Sequence, residues 1–326
     1  MHQLMLDYLE SLKRDGRYGM ATSYELGLKN LWAWLQTRSK GRPSEPADLT
    51  ASDLETFQKY LASDYRSPDS KRLAKTTQST RLAAVKSFYR WLHDRGLIYG
   101  DPAAELKLPK IGSKGVAMDF LSQQEATAML NAQSAKVAAQ KKGTIRWALA
   151  LRDLALLSVA LASGRRRTSL KELKVRDMDF RRNEIRIEWE KGKTGRVLPI
   201  AQWAMDVAQK YLTQARPIIL NGRADVGWLW PARDIDRISA THLRELVLKV
   251  KAMAVLQNPD LTELASKRLG THGLRVTYAK MLFDSGADLR GVNELLLHSK
   301  LSTTARYVPL QTSDMRRALR QAHPRA

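Results

Sequence analysis

The chain has 326 residues and carries 55 Lys and Arg residues against 33 Asp and Glu, a surplus of 22 positive charges. This length suggests two domains, and so large a surplus indicates a polyanionic partner, either nucleic acid or an anionic membrane. The absence of cysteine excludes disulfides, thiolate metal sites and a cysteine nucleophile, and it fits a reducing cytoplasm. No apolar run approaches the length of a bilayer span and residues 1–13 lack a signal-peptide pattern, so a membrane is the weaker candidate.

The first third of the sequence predicts four helices, the first of them short and amphipathic. Leucines at helical spacing predict the second helix over residues 22–36. Thr50 and Ser52 are suitable N-caps for the third helix, and Thr76 is a suitable N-cap for the fourth, which Gly96 would end. Basic side chains share the fourth helix with its apolar stripe, and they form either a solvated face or a face laid against phosphates: Lys75, Arg81, Lys86 and Arg90.

A basic segment rich in proline and glycine, residues 100–116, has the composition of a linker. Helices resume after it at Ser122, which can form a capping box with Glu125. A strongly apolar helix is then expected from Thr144 to Ser163, with Gly164 at its end.

The next segment predicts a β-hairpin, the clearest strand signal in the chain. Its strands are expected at residues 184–189 and 196–200, joined by a tight basic turn that contains Lys191 and Lys193. The remainder of the sequence has mostly helical patterns, without an internal repeat or a low-complexity segment. The fold class predicted from these elements is therefore mainly α with a small β-hairpin or sheet.

Four places in the second part of the chain carry reactive or charged groups. Each has an ordinary structural explanation when it is taken alone. Arginine runs and hairpin lysines are commonly solvated, a histidine and an arginine three residues apart share a helix face, and a tyrosine commonly packs in a core. The four places are the run Arg165–Arg167, the turn with Lys191 and Lys193, the pair His272 and Arg275, and the pair His298 and Tyr307.

Together these groups form a set suited to phosphodiester cleavage without a metal. Such a reaction needs a nucleophile, a proton donor for the leaving oxygen and cations for the developing negative charge. A tyrosine can attack phosphorus and hold it covalently, paired arginines match phosphate geometry, a lysine can reach the leaving oxygen, and histidines exchange protons near neutral pH. No tight cluster of histidine or carboxylate ligands is apparent in the sequence, so we expect neither a metal nor another cofactor.

The same residues resemble the tyrosine site-specific recombinases of the phage-integrase family. The first block of that family has the form Ala-Thr-Gly-Leu-Arg-Ile-Ser-Glu-Leu followed by an aspartate pair, and Ala162–Asp179 fits it without a gap. This alignment puts the first catalytic arginine at Arg166. The second block, His-x-x-Arg, is met by His272 and Arg275. The third block, Leu-Leu-Gly-His followed by Ser-Thr-Thr and a tyrosine, is similar to Leu296–Tyr307.

Two positions depart from the family pattern, and one role has two candidates. Ser169 replaces the acidic residue that is usual three positions after the first arginine, and Leu297 replaces the glycine that is usual before the third histidine. The acid supports the site, so its loss concerns the surrounding geometry and not the reaction. Counting back from Pro199 at the end of the hairpin favours Lys191 as the catalytic lysine. If the catalytic lysine is instead the one directly before Thr-Gly, it is Lys193.

The resemblance implies a two-domain clamp around DNA. It assigns residues 1–107 to a helical, SAM-like core-binding domain, residues 108–118 to a linker and residues 119–326 to a catalytic domain with a tail helix. It also implies a 3′-phosphotyrosyl intermediate. The roles that it assigns are Tyr307 as nucleophile, Arg166 and Arg275 as transition-state cations with His298 beside them, Lys191 as general acid and His272 as general base.

The partners implied by the resemblance are double-stranded DNA target sites and further copies of the chain, because the family works as a homotetramer on two DNA sites. The segment Thr312–Ala326 is either a helix that docks on a neighbouring subunit or a frayed terminus. A cytoplasmic, nucleoid-associated location is expected. No additional arm-binding domain is apparent before the helical domain, which favours a resolvase-like or transposon-borne enzyme. Further DNA contacts are expected at basic residues: Lys75, Arg81, Lys86, Arg90, Arg165, Arg167 and Lys193.

Two alternatives are open at this point. A type IB topoisomerase shares this chemistry but acts alone to relax supercoils, and strand exchange between two defined sites distinguishes a recombinase from it. A non-catalytic DNA-binding protein could keep an inactive version of the site, and cleavage of a suicide substrate excludes that alternative. The sequence does not separate integration, excision and dimer resolution from one another.

Overall fold

The computed structural model describes residues 1–37, 45–67, 70–110, 119–187, 195–239 and 241–297. The chain forms two compact units, Met1–Lys114 and Gly115–Ala326. Within the described residues both units are mainly helical and the second contains one small sheet, so the predicted fold class is confirmed.

The first unit contains the four helices that the sequence predicts. Thr50 caps the third helix, because its hydroxyl accepts from the amide of Asp53 while the Asp53 carboxylate accepts from the amide of Thr50. Ser52 lies inside the first turn and not at the cap. The Thr76 cap prediction is wrong, because the fourth helix begins before it and Ala74 takes the extended capping conformation. The helices are α1 Gln3–Arg14, α2 Tyr18–Gln36, α3 Ala51–Ser63 and α4 Lys75–Asp94, with a 3₁₀ turn at Pro46–Asp48.

A close approach of α2 to α4 at Gly27 organises the core of the first unit. A Cβ atom at this position would lie 2.8 Å from the carbonyl oxygen of Arg81 and 2.9 Å from the Cβ of Ala84, so the approach requires glycine. The core beneath is rich in aromatic rings, and the buried hydroxyl of Tyr89 donates to the carbonyl of Pro46 at 2.7 Å. The first unit therefore has its own hydrophobic core.

The second unit is built around one long, buried helix. Gly164 ends it in the left-handed conformation, as the sequence predicts, and Thr144 caps its N-terminus by accepting from the amide of Trp147. The predicted capping box of Ser122 and Glu125 is confirmed at the preceding helix. None of the described helices combines the length and apolar character that a bilayer span requires. In chain order the helices are α5 Gln123–Ala138, α6 Ile145–Ser163, α7 Arg167–Lys171, α8 Gln202–Lys210, α9 Arg216–Leu220, α10 His242–Gln257, α11 Thr262–Ser266, α12 Thr271–Asp284 and α13 Leu289–Leu296.

The sheet of the second unit has three antiparallel strands in the order β1-β2-β3. Strands β2 (Glu184–Ile187) and β3 (Arg196–Pro199) form the predicted hairpin, in a register that pairs Ile185 with Leu198. The additional strand β1 (Met178–Asp179) is not predicted from the sequence, because two residues carry no alternation of polar and apolar side chains. The predicted turn lies outside the described residues, which resume at residue 195.

Candidate active site

Arg275 connects three segments that are far apart in the sequence. It lies on α12 and is 1% exposed. Its Nη1 donates to the carbonyl of Gly164 at 2.7 Å, and its Nη2 donates to the carbonyl of Leu296 at 2.6 Å. These carbonyls lie at the C-terminal ends of α6 and α13, where a cation is favoured by the unsatisfied backbone oxygens. One guanidinium therefore joins the first and second sequence blocks to the start of the third.

Both helix ends that Arg275 contacts turn through a left-handed residue. Gly164 has φ 56°, and a side chain there would run into the ring of Tyr278, so the position requires glycine. Leu297 has φ 53° at the end of α13, where the family pattern has glycine. A left-handed leucine costs about 1 kcal/mol in backbone energy. The burial of the Leu297 side chain offsets this cost, which explains how the chain departs from the family here.

His272 lies one turn before Arg275 on α12, beside the cations of the site. Burial lowers the pKa of His272, and the charges of Arg275 and Arg166 lower that pKa further. The imidazole is therefore neutral at physiological pH and able to accept a proton. Arg166 itself is exposed at the N-cap of α7, where its guanidinium can meet a ligand from solution.

Helix α12 is held in place by the segment that begins the described part of the second unit. The amide of Leu121 donates to Thr277 Oγ1 at 2.9 Å, and the amide of Arg268 donates to Asp119 Oδ2 at 2.6 Å. A Cβ atom at Gly273 would lie 3.0 Å from the carbonyl oxygen of Asp119, so this contact also requires glycine. These positioning residues are not predicted from the sequence motifs. The only signal was Gly273 itself, since glycine is unfavourable inside a helix without a packing reason.

The aspartate pair that follows the first block has structural roles. The Asp177 carboxylate accepts from the amide of Lys174 at 2.7 Å. Asp179 Oδ1 accepts from the amides of Arg181 and Arg182, each at 3.0 Å. These bonds shape the turns on either side of β1, so the family resemblance at this point reflects the route of the chain into the sheet.

Arg165 is buried although its neighbours Arg166 and Arg167 are exposed. Its residue surface is 4% exposed, and within the described part of the chain its Nε and Nη1 have no hydrogen-bond partner. Burial lowers the pKa of Arg165 to about 10, with further contributions from the charges of Arg275 and Arg166. The three arginines that follow Gly164 in the sequence thus occupy two different environments.

The four basic residues predicted to meet DNA in the first unit also differ. Lys75 and Arg90 are exposed. Arg81 donates to the side chain of Asn30 and lies 4.9 Å from the ring centroid of Tyr65. Lys86, the remaining member of the set, donates through Nζ to two backbone carbonyls, at 2.8 and 2.9 Å. Contacts within the unit therefore already hold two of the four side chains.

Several predicted site residues lie outside the described residues: Lys191, Lys193, His298, Tyr307 and the tail Thr312–Ala326. Among the residues that the structure does describe, no group of three His, Asp or Glu side chains is arranged to hold a metal ion.

Similarity to known proteins extends over nearly the whole chain. Residues 119–314 match the phage integrase family, and residues 8–98 match the phage integrase N-terminal SAM-like domain. The chain belongs to the phage integrase family. Tyrosine recombinase XerC of Mycobacterium sp. (strain JLS) is 33% identical over 320 residues, which are 98% of this chain and 97% of the relative. Tyrosine recombinase XerC of Mycobacterium tuberculosis (strain ATCC 25177 / H37Ra) is 33% identical over 299 residues, 92% of this chain and 90% of the relative.

Solved structures of recombinases share the fold at lower sequence identity. XerH site-specific recombinase, in a post-cleavage complex with a palindromic difH substrate, has a TM-score of 0.67 at 16% identity and covers 93% of this chain and 78% of its own. A lambda integrase dimer bound to a COC′ core site has a TM-score of 0.60 at 15% identity and covers 95% of each chain. The likeness shows the same fold, and together with the two matched family models it confirms a SAM-like domain followed by a catalytic domain.

The family and its curated relatives establish the class of reaction. The chain is a tyrosine site-specific recombinase, an enzyme that transfers DNA strands. The prediction from the sequence that the chain is a recombinase is therefore confirmed. Neither a topoisomerase that relaxes DNA nor a non-catalytic DNA-binding protein is favoured.

Proposed function

We propose that this recombinase breaks and rejoins DNA through a covalent bond between Tyr307 and a 3′ phosphate. The observation that carries the proposal is the pair of hydrogen bonds from Arg275 to Gly164 and Leu296, at 2.7 and 2.6 Å. This pair supports a site in which the three sequence blocks meet. The lowered pKa of His272 gives further support, because a neutral imidazole can accept the tyrosine proton.

In the proposed reaction the Tyr307 oxygen forms a bond to phosphorus while the bond between phosphorus and the 5′ oxygen breaks. His272 accepts the proton of the tyrosine hydroxyl, and Lys191 donates a proton to the leaving 5′ oxygen. In the alternative assignment of the hairpin lysines, Lys193 donates this proton. A 5′ hydroxyl from a partner strand then reverses these steps, so the energy of the phosphodiester is conserved.

Arg166 and Arg275, with His298 beside them, stabilise the charge that develops on the phosphate oxygens. Guanidinium groups suit this role because they remain charged and match the geometry of two oxygens. Preorganised charges of this kind act where the negative charge grows in the transition state. The exposure of Arg166 and the fixed position of Arg275 both support this assignment.

DNA binding is proposed to follow the domain plan of residues 1–107, 108–118 and 119–326, with the two domains closing as a clamp on the duplex. The exposure of Lys75, Arg90 and Arg167 supports phosphate contacts by these side chains. Each neutralised phosphate contributes about −0.9 to the slope of log K against log salt, so binding should weaken steeply with salt.

The proposed active assembly is a homotetramer on two DNA sites, with the tail Thr312–Ala326 docked on a neighbouring subunit. The XerH and lambda integrase structures, both on DNA sites and the latter a dimer, support an assembly of several protomers on DNA. Sedimentation of complexes on one and on two DNA sites, with and without the tail, tests this assembly.

The decisive experiment replaces the proposed nucleophile. A tyrosine hydroxyl has an unperturbed pKa of about 10, so it attacks phosphorus only where a base and cations activate it. Tyr307→Phe should bind DNA with nearly unchanged affinity and form no covalent adduct on a nicked suicide duplex. The wild type should form an SDS-stable adduct with the phosphate on the 3′ side of the break.

The matched control is Tyr99→Phe, since Tyr99 is a fully exposed tyrosine of the first unit. This variant should form the adduct at the wild-type rate. Peptide mapping of the wild-type adduct identifies the linked residue. A linkage at any other residue, or cleavage that persists in Tyr307→Phe, would remove the nucleophile assignment.

A further inference from the structure

Arg165 occupies a position where the family motif has leucine. The motif reads Ala-Thr-Gly-Leu-Arg, and its leucine aligns with Arg165 while its arginine aligns with Arg166. The structure buries Arg165 as it would bury a leucine, leaving 4% of the residue exposed. Its Nε and Nη1 are inaccessible and, within the described residues, have no hydrogen-bond partner.

The other arginines that are buried in the described residues all have partners. Arg152 contacts Asp153 at 2.8 Å and donates to a backbone carbonyl at 2.9 Å. Arg216 contacts Asp225 at 2.5 Å. Arg275 donates to two carbonyls. Because a buried charge without a partner is strongly unfavourable, Arg165 is an exception that calls for a physical reason.

The described surroundings of Arg165 add positive charge, and the ionisable group that acts against it there is the hydroxyl of Tyr278, whose raised pKa keeps it neutral. Its backbone follows Gly164, whose carbonyl receives the guanidinium of Arg275 at 2.7 Å. The charges of Arg275 and Arg166 both act on Arg165. The family motif offers a glutamate four residues on, but this chain has Ser169 there. Two buried cations, Arg165 and Arg275, therefore act on one another and on the exposed Arg166, and an anionic ligand is the group that would balance them.

We propose that Arg165 is a third cation of the phosphate site, left without a counter-charge among the described residues so that the charge of the scissile phosphodiester neutralises it. The inference rests on the proposed position of that phosphate at Arg166 and Arg275. Arg165 acts through space, since its buried nitrogens need not touch the phosphate for their charge to act in a medium of low dielectric. It is thus a positioning and electrostatic residue, and its contribution depends on the charge of the substrate.

The test compares the same cleavage on a charged and on a neutral phosphate. Suicide duplexes carry either a phosphodiester or a methylphosphonate at the scissile position, and each methylphosphonate diastereomer is assayed separately. Single-turnover cleavage by Arg165→Leu should be slower than wild type by about tenfold or more on the phosphodiester. On the methylphosphonate the two rates should agree within about threefold, because the charge on which Arg165 acts is missing.

Two further variants keep the result unambiguous. Arg165→Lys retains the charge and should keep most of the wild-type rate on the phosphodiester. Arg290→Leu removes an exposed cation of α13, whose side chain is 83% exposed, and should cleave both substrates like the wild type. Equal losses by Arg165→Leu on both substrates, or no loss on the phosphodiester, would overturn the proposal. If the wild type forms no tyrosyl adduct, it is the proposed function that fails.

Discussion

Two regions of the second unit each bury an arginine, and the charged groups around the two guanidinium groups are of opposite sign. Arg216 is 7% exposed and forms two hydrogen bonds to Asp225, at 2.5 and 2.6 Å, as well as bonds to the carbonyl of Trp228. Arg165 is 4% exposed and lies beside two further cations, without a carboxylate partner in the described residues. Arg216 is thus neutralised within the fold, whereas our proposal leaves the charge of Arg165 to be neutralised by the substrate.

Arg275 stands between these two cases. Its guanidinium is held by the carbonyls of Gly164 and Leu296, which are dipoles and not charges. These bonds fix the position of the guanidinium, which is what its proposed contact with a phosphate requires.

The largest effect that separates these regions is expected for Arg275→Leu. The change removes the proposed transition-state cation and the link between the ends of α6 and α13, so cleavage of a suicide duplex should fall by about a thousandfold. The unfolding free energy should fall by about 2 to 3 kcal/mol, because two buried carbonyls lose charged donors. Single-turnover cleavage and urea denaturation measure the two effects. Arg275→Lys, which keeps the charge but can reach fewer acceptors, should lie between wild type and Arg275→Leu in both.

A large loss of stability without a loss of chemistry is expected for Arg216→Leu. Removing this guanidinium leaves Asp225 and the carbonyl of Trp228 without their donor, and should lower the unfolding free energy by about 2 to 3 kcal/mol. The folded fraction of Arg216→Leu should cleave DNA at the wild-type rate. A slower rate in fully folded Arg216→Leu would show that the Arg216 region contributes to the active site. The contrast between Arg216 and Arg165 would then fail.

The opposite sign of stability change is expected for Arg165→Leu. Leucine fills a buried position without an unpaired charge, so the unfolding free energy of the DNA-free protein should rise by about 1 to 2 kcal/mol. The pKa of Arg165, which burial lowers to about 10, agrees with this expectation, since the folded protein disfavours the charged guanidinium. Urea denaturation of Arg165→Leu and Arg216→Leu side by side measures both. A decrease for Arg165→Leu would mean that its charge has a stabilising partner in the folded protein.

The smallest expected effect concerns the protonation of His272. Burial and the charges of Arg275 and Arg166 lower its pKa from the ordinary 6.5, so the imidazole should titrate below that value. Cleavage should therefore be retained at neutral pH and be lost as the pH falls through the lowered pKa. Proton NMR of the histidine ring follows the titration directly. Arg166→Gln removes one of the charges and should move the midpoint upward, whereas an unchanged midpoint would show that Arg166 does not act on His272.

Helix ends are predictable from the sequence where a nearby side chain closes them. Thr50 and Ser122 cap their helices as expected, because the groups that they satisfy lie within three residues. The N-cap prediction at Thr76 fails because Ala74 begins that helix without any side-chain bond. Strand β1 also escapes prediction, since two residues become a strand only by pairing with β2.

The sequence by itself determined the family and most of the helices, and it supplied the proposed set of reactive groups. The reason is that motif spacing and capping depend on neighbours in the chain. Only the tertiary structure decided how the three consecutive arginines divide, with Arg165 buried while Arg166 and Arg167 are exposed. It alone also joined Gly164, Arg275 and Leu296. Burial and charge balance are set by groups far away along the chain, so identical side chains in one motif acquire different roles when the chain folds.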